Sequence, residues 1–292
     1  DQGLMRERLE LWSAGIPFKV KLGMVWGVIA LVVVFLFSLA DFDVEWMLDH
    51  LWFITQGLPW TIIICGLAII LAVTLALFGA LGRLSNSAVA QGVTGFYTSF
   101  FRGTPLIVQM FLIFLALPQL APPNLPGLRD SLTLTALQAG VIALGLNYGA
   151  YMTEIFRAGI QSVGHGQVEA AEALGMTYRQ RMRRIVLPQA IRVIIPPTGN
   201  EFIAMLKDSA LISLLGSVVA QMEIFRRSQL VGRADFRPLE AFVVAAGLYW
   251  ILTTIFQIFQ TRLERRLSTG YVRTTIRVTT QPGVEMVESE PA

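Results

Sequence analysis

The chain of 292 residues is 54% hydrophobic and 15% charged, with a mean hydropathy of +0.60 and a formal net charge of +3. A soluble domain carries roughly 25% charged residues, so this composition excludes a soluble globular protein. Cys65 is the single cysteine, which excludes a disulfide framework and a thiolate metal site. Long uncharged runs satisfy their backbone in lipid as helices, and we therefore predict an all-α polytopic membrane protein.

Uncharged runs long enough to cross a bilayer follow one another along the chain. A hydrocarbon core of about 30 Å needs about 20 apolar residues in a helix. The runs without Asp, Glu, Lys or Arg are 22–40, 58–82, 103–121, 131–153 and 241–261. A further crossing over 193–222 is expected to be kinked, because Pro196 and Pro197 interrupt helical hydrogen bonding. We therefore expect about six transmembrane helices.

Basic residues orient these spans, because Lys and Arg concentrate in cytoplasmic loops. The first 21 residues contain Arg6, Arg8, Lys19 and Lys21, whereas 41–49 contains acids and no base. Both termini are therefore predicted to be cytoplasmic. Residues 84–98 would approach along the inner surface, and 99–118 would cross. In this scheme 223–240 is external although it contains four arginines, so the side of this loop stays open.

A polar segment between two spans, residues 165–188, has a distinctive spacing. Glu169-Ala170-Ala171 is followed by Gly175 and then by Ile185-x-Leu187-Pro188. Gly175 is expected to end a first helix. Thr177 and Gln180 have capping-box spacing and would start a second helix, which Pro188 would end.

This spacing resembles the EAA motif of ATP-binding-cassette importer permeases. The resemblance implies that 165–188 contains a coupling helix and docks an ATP-hydrolysing subunit through Glu169, Ala170, Ala171, Gly175, Ile185, Leu187 and Pro188. A solvated, arginine-rich loop that obeys the positive-inside rule is the alternative interpretation of the arginines, although it does not explain the spacing.

Three further stretches resemble the polar-amino-acid branch of the same family and occur in its order. They are 101–109 (FRGTPLIVQ), 149–159 (GAYMTEIFRAG) and 200–209 (NEFIAMLKDS). Together with the EAA-like loop they cover about residues 58–262. The resemblance implies the five-helix core of type I importers, to which 22–40 adds an N-terminal helix.

The predicted organisation has four parts. Residues 1–21 form a cytoplasmic arm, 22–57 the extra helix and an external loop, 58–266 the permease core, and 267–292 a polar cytoplasmic tail. The resemblance implies a second permease subunit, identical or paralogous, and an extracytoplasmic substrate-binding protein. It also implies a cytoplasmic ATPase dimer that binds ATP and Mg. No nucleic acid partner and no cofactor of this chain are expected.

Charged residues within the spans are candidates for function, because a charge at mid-span costs about 2.5–3.5 kcal/mol on insertion scales. Arg102 and Glu154 lie at similar predicted depth, so we expect an ion pair that Arg157 shares as a gate or an interhelical lock. Lys207 with an acidic neighbour could bind a zwitterionic amino acid or only stabilise the kink. The candidates for the substrate pathway are Gln109, Asn147, Asn200, Glu201, Lys207 and Asp208.

The expected function is that of the membrane-spanning subunit of an ATP-driven importer of polar amino acids, located in a bacterial cytoplasmic membrane and working by alternating access. The chain is not expected to be an enzyme, because none of its three lysines follows a glycine as in a phosphate-binding loop. The alternative is an ion-coupled secondary transporter, whose signature would be a pair of inverted repeats. No second copy of F-R-G-T-P or of the EAA-like loop occurs.

Overall fold

The computed structural model describes residues 17–39, 42–122, 124–216 and 221–267, and these residues contain helices and no strand. The sequence-predicted tail lies almost wholly outside them, as does most of the arm. The helices are α1 (Phe18–Leu39), α2 (Val44–Thr55), α3 (Leu58–Leu84), α4 (Ala88–Gly103), α5 (Leu106–Phe111), α6 (Pro126–Leu132), α7 (Ala136–Gln161), α8 (His165–Ala173), α9 (Tyr178–Arg181), α10 (Leu187–Asp208), α11 (Ile224–Ala234) and α12 (Pro238–Leu267).

Several of these helices are long enough to cross a membrane. Among the described residues, α1, α3 and α12 are long and apolar enough to be candidate membrane spans. Helix α4 and Leu106–Leu120, which are bent by 110° relative to each other, make a fourth candidate if the pair is one broken span. Helices α7 and α10 have 26 and 22 residues but are less apolar. Much of α7 faces protein rather than lipid, so it need not be apolar on every side. The described helices thus supply the predicted set of about six crossings.

Small residues bring α3 and α7 together at the centre of the bundle. Along α3, Ala68, Ala72 and Ala76 recur at every fourth position and are fully buried. On α7, Ala139 and Ala143 have the same spacing and are also fully buried. Because lipid supplies no hydrophobic driving force between helices, close backbone approach through small residues is the usual source of their association.

The helix that contains Pro196 and Pro197 is not interrupted by them. Helix α10 runs without interruption from Leu187 to Asp208 and continues as a 3₁₀ segment, Ser209–Leu215. Gln260 on α12 donates a hydrogen bond of 2.8 Å to the carbonyl of Pro196. Contacts between neighbouring helices can accommodate proline in a membrane helix, and the crossing therefore has no break here. The kink stays a prediction.

Helix α2 joins residues 223–240 at one end of the bundle. Arg237 pairs with Asp43 at 3.0 Å, and the indole Nε1 of Trp46 donates to Asp235 at 2.7 Å. Arg227 donates to the carbonyl of Phe53 at 3.2 Å. Residues 223–240 therefore lie at the same end as α2, and the acidic segment before α3 partly neutralises their arginines.

The carboxylate of Glu223 caps α11 at this end. It accepts hydrogen bonds from the backbone N–H of Arg226 at 2.6 Å and from the hydroxyl of Tyr249 at 2.9 Å. Burial raises the pKa of the Glu223 carboxyl to about 7, although the N–H of Phe225 and the Tyr249 hydroxyl lower it in part. The cap is therefore a group that titrates near neutral pH.

Gly57 precedes α3 where the chain approaches the backbone before α11. A Cβ at this position would lie 2.5 Å from the backbone nitrogen of Ile224. Because the obstruction is backbone, we expect Gly57→Ala to lower the free energy of unfolding by about 1–3 kcal/mol, as in other overpacked sites. Thermal unfolding in detergent measures this. Gly66→Ala is the control, because its Cβ would meet nothing within 4 Å. Equal melting of the two variants would contradict the prediction.

Candidate docking site and membrane-embedded polar groups

The EAA-like segment folds as a helix that ends in a left-handed glycine. Gly175 has a φ of 73°, and its N–H donates to the carbonyl of Glu172 at 2.8 Å. The N–H of Met176 donates to the carbonyl of Ala171 at 3.1 Å. This pair of bonds is a Schellman motif, in which glycine avoids the steric cost of a positive φ. The spacing from Ala171 to Gly175 is therefore the spacing of a helix end.

The second half of the segment begins as the sequence predicts and ends differently. Thr177 and Gln180 form a reciprocal capping box at the start of α9. The prediction that Pro188 ends this helix was wrong, because the chain continues through a π-helical turn, Met182–Val186, directly into α10. Pro188 lies in the first turn of α10, where a missing N–H is tolerated. The elbow is thus joined to a long helix without a loop.

A shallow groove brings the two halves of the motif together. Its volume is about 320 Å³, and Ala170 and Ala171 on α8 line it with Ile185 and Pro188. Leu174 at its rim is 79% exposed. Glu169 is exposed on α8, whereas Leu187 lines a neighbouring groove with residues from Thr177 to Arg184. Small side chains line one wall of the first groove, so another protein could approach the backbone of α8 closely.

Charged side chains stabilise the turn between α8 and α9 in the elbow, residues 165–188, and form a basic surface beside it. Arg181 forms an ion pair with Glu172 across the turn and also lies over the ring of Tyr178, 5.6 Å from its centroid. Arg179 and Arg183, one helical turn apart, are exposed. The surface therefore offers a partner both an apolar groove and positive charge.

Gly175 allows a direct test of the elbow's geometry. A Cβ would meet nothing within 4 Å, so only the positive φ opposes a side chain. The left-handed region costs an L-residue roughly 1–2 kcal/mol, and more for a β-branched one. We expect Gly175→Val to distort the elbow and reduce uptake strongly, while Gly175→Asn, which tolerates this region, retains most of it. Equal uptake by both variants would contradict a role for this backbone conformation.

The FRGTP segment forms a sharp bend that is stabilised by two buried amides. Helix α4 ends at Gly103, Thr104 and Pro105 are extended, and the following helix is turned by 110°. The side-chain amide of Gln109 donates to the carbonyls of Phe101 and Thr104 at 2.9 and 3.1 Å. Asn147 donates to the Phe101 carbonyl at 2.9 Å and to Gln109 at 3.1 Å.

This arrangement changes how two of the predicted pathway residues are interpreted. Gln109 and Asn147 are buried, and their amide groups bind backbone carbonyls at the bend and each other. Gln109 and Asn147 therefore stabilise the bend between α4 and α5, and they do not lie on an open surface. The same bend divides the predicted crossing over 99–118, since the chain turns at Pro105.

The carboxylate of Glu154 is bound by two arginines near the coupling end of the bundle. Arg157 donates to it at 2.8 Å, as the sequence predicts, and Arg83 at the end of α3 pairs with it at 3.4 Å. Arg102, the predicted partner, instead lies over the ring of Tyr151, 5.3 Å from its centroid. Arg83 replaces it because α3 and α7 pack side by side and bring Arg83 to the depth of Glu154.

The charged end of α10 contacts α7 through one hydrogen bond. The hydroxyl of Tyr148 donates to Asp208 at 2.8 Å. Glu201 lies about two helical turns before Asp208, within electrostatic range of both Asp208 and Arg102. Asn200 and Lys207 are both exposed and lie seven residues apart, so they share a face of α10. Tyr148 makes an interhelical hydrogen bond. Tyr151 and Arg83 were not among the predicted site residues.

The elbow and the helical bundle that carries it agree with comparisons to known proteins. Residues 68–269 match the family described as the binding-protein-dependent transport system inner membrane component. The chain belongs to this family and is a multi-pass protein of the inner membrane. In this family ATP hydrolysis belongs to separate subunits, so the chain is the membrane component and not the enzyme.

Curated relatives cover most of the chain. It is 40% identical over 229 residues to the probable amino-acid permease protein YxeN of Bacillus subtilis, covering 78% of this chain and 97% of that protein. It is 42% identical over 221 residues to the arginine transport system permease protein ArgU of Corynebacterium glutamicum, covering 73% and 68%. The L-cystine transport system permease protein TcyB of Bacillus subtilis is 40% identical over 215 residues, covering 73% and 86%.

Solved structures show the same fold. A crystal structure of an amino acid ABC transporter with histidines contains a chain that is 36% identical, with a TM-score of 0.69, covering 77% of this chain and 99% of that one. An inward-facing structure of the MetNI methionine ABC transporter is 17% identical, with a TM-score of 0.58, covering 75% and 98%. The second likeness concerns the fold alone.

Proposed function

We propose that this chain is the permease subunit of an ATP-driven importer of polar amino acids that works by alternating access. The observation that carries the proposal is the elbow at 165–188, where both halves of the EAA-like motif line one groove on a helix end continuous with α10. Related permeases are named for amino acids, which supports the substrate class.

An ATPase subunit would dock on the elbow. The groove of Ala170, Ala171, Ile185 and Pro188 would receive an apolar segment of the partner, with Leu174 at its rim. Because α9 passes into α10 without a loop, a displacement of the elbow would be transmitted to a membrane helix as a rigid body. ATP and Mg would be bound by the ATPase dimer, and this chain would contribute no cofactor site.

A second permease subunit, identical or paralogous, would complete the pathway. Asn200 and Lys207 are exposed on one face of α10, beside Glu201 and Asp208. Charges at membrane depth usually face a bundle interior or a water-filled cavity, and a partner subunit would provide one. In this arrangement the four residues would contact a zwitterionic amino acid, and Arg102 stacked on Tyr151 would lie near Glu201. Glu154 with Arg83 and Arg157 would act as the lock or gate at the cytoplasmic end.

The elbow is proposed to be cytoplasmic, with α2 and 223–240 external, where a substrate-binding protein would deliver its ligand. We expect Ala234→Cys, on a Cys65→Ser background, to react with an impermeant maleimide in intact spheroplasts. Ala173→Cys is the matched exposed position on α8 and should react only after permeabilisation. The reverse pattern would contradict the proposed orientation.

Co-purification followed by an ATPase assay tests the proposed function. With this chain as bait in detergent, we expect an ATPase subunit to co-purify and its activity to rise with a binding protein loaded with one polar amino acid. A chain that purifies without an ATPase and moves amino acids on an ion gradient would support the secondary transporter instead. No feature of the described residues or of the relatives favours that alternative.

A further inference from the structure

Helix α2 lies before the part of the chain that matches the family. The match begins at residue 68, and α2 is Val44–Thr55. It has no role in the transport mechanism proposed above. Its residues are nevertheless arranged on three distinct faces of the helix, and each face indicates a different environment.

The first face of α2 binds the protein. Ile54 is fully buried, and Trp46 and His50 both contact Asp235, at 2.7 and 3.3 Å. The ring of Phe53 lies under the guanidinium of Arg227, 4.8 Å from its carbon. These positions, at a spacing of three to four residues, fix the rotation of the helix about its axis. The orientation of the other two faces follows from this attachment.

The second face is an exposed apolar strip, and the third is acidic. The strip consists of Val44, Leu48, Leu51 and Trp52, of which Leu48 is 64% and Trp52 72% exposed. Glu45 and Asp49, one turn apart, are exposed directly beside the strip. At 100° per residue the strip occupies about a third of the circumference of the helix. The two acidic residues lie between Trp52, at one edge of the strip, and Phe53, at the nearest edge of the bound face.

The connections of α2 place it at the membrane surface. Its N-terminal end follows α1 after four residues, and its C-terminal end precedes α3 by two residues. Both neighbours are long and apolar enough to cross the membrane. A helix tied at each end to the same side of two spans is held near the interface, and both spans also expose large apolar side chains.

We propose that α2 is an interfacial helix whose strip of Val44, Leu48, Leu51 and Trp52 is inserted among the lipids of the external leaflet. The acidic face, with Glu45 and Asp49, is in water, and the first face, which binds the protein, holds the helix against residues 223–240. Segregated apolar and polar faces with tryptophan at the boundary are typical of helices that lie in this plane. The helix thereby anchors residues 223–240, and so the start of α12, to the bilayer. The interfacial position requires only that the chain spans the membrane, whereas the external side rests on the orientation proposed above. Neither depends on the transported solute.

Nitroxide accessibility tests the placement in the assembled transporter. Leu48→Cys and Asp49→Cys, each on a Cys65→Ala background, are spin-labelled and reconstituted with the ATPase in nanodiscs of phosphatidylethanolamine and phosphatidylglycerol. We expect the label at 48 to collide several-fold more often with oxygen, which concentrates in lipid, than with a water-soluble nickel chelate. The label at 49, on the acidic face, should show the reverse.

Two results would overturn the proposal. A label at 48 that collides with the nickel chelate as often as the label at 49 would place the strip in water. A label at 48 that neither reagent reaches would show that a protein covers the strip, whether a second copy of this chain or a binding protein. Trp52→Cys provides a second position on the strip, and uptake by each labelled variant in proteoliposomes shows that the transporter is intact.

Discussion

Glu169→Lys is expected to abolish ATP-dependent uptake while the protein remains inserted in the membrane. Glu169 is exposed on α8 beside the groove, so its charge contributes little to folding. A lysine at this position would reverse the charge that the elbow presents to the proposed ATPase subunit. A like-charge contact at an interface costs several kcal/mol, and a loss of about 3 kcal/mol lowers the affinity for the ATPase about a hundredfold. The measurements are uptake in proteoliposomes and the amount of ATPase retained on the purified permease.

Glu169→Gln is the matched control, because it keeps the size of the side chain and removes only the charge. We expect it to retain more ATPase than the lysine variant. Uptake by Glu169→Lys at the rate of the unmodified protein would remove Glu169 from the docking surface.

Gln109→Leu is expected to give the largest loss of stability among single substitutions in the membrane core. The amide of Gln109 is buried and binds the carbonyl of Thr104 and the amide of Asn147. Leucine would leave the Thr104 carbonyl and one N–H of Asn147 without a partner, and each such loss costs about 1–3 kcal/mol, for a total of about 2–6 kcal/mol. Thermal unfolding in detergent measures the loss.

Gln119→Leu controls for the change of residue type, because Gln119 is exposed and binds only the carbonyl of Leu115. We expect this variant to melt close to the unmodified protein. If Gln109→Leu and Gln119→Leu melt at the same temperature, the amide pair of Gln109 and Asn147 does not stabilise the bend.

The elbow could be predicted from the sequence because its geometry is local. A glycine four residues after Ala171, followed by Thr177 and Gln180, specifies a helix end and a helix start within one short segment. The apolar runs likewise predicted α3 and α12 to within a few residues, because span length is set by the bilayer.

The partners of buried polar groups could not be predicted, because they depend on how helices pack. Sequence spacing gave Arg157 as a partner of Glu154, since the two lie on one helix face. It could not give Arg83, which reaches Glu154 only because α3 and α7 are in contact. The hydrogen bond of Gln260 to the Pro196 carbonyl could not be predicted for the same reason, since it is also a tertiary contact.

The residues of α2 were predicted to form an external loop because the segment is acidic and contains no basic residue. That prediction left out the periodicity of its apolar residues. Val44, Leu48 and Leu51 recur at three- and four-residue spacing, which is the spacing of an amphipathic helix. Its capping residue, Asp43, accepts a hydrogen bond from the N–H of Trp46 and was visible in the sequence as an Asp before the apolar pattern.

The coupling of this chain to an ATPase is tested most directly by amino-acid uptake into proteoliposomes that contain the permease, its ATPase and a binding protein. We predict uptake that requires internal ATP and the loaded binding protein, persists when ionophores dissipate ion gradients, and is lost with Glu169→Lys. Uptake that proceeds without ATP and collapses with the ion gradient would contradict the account.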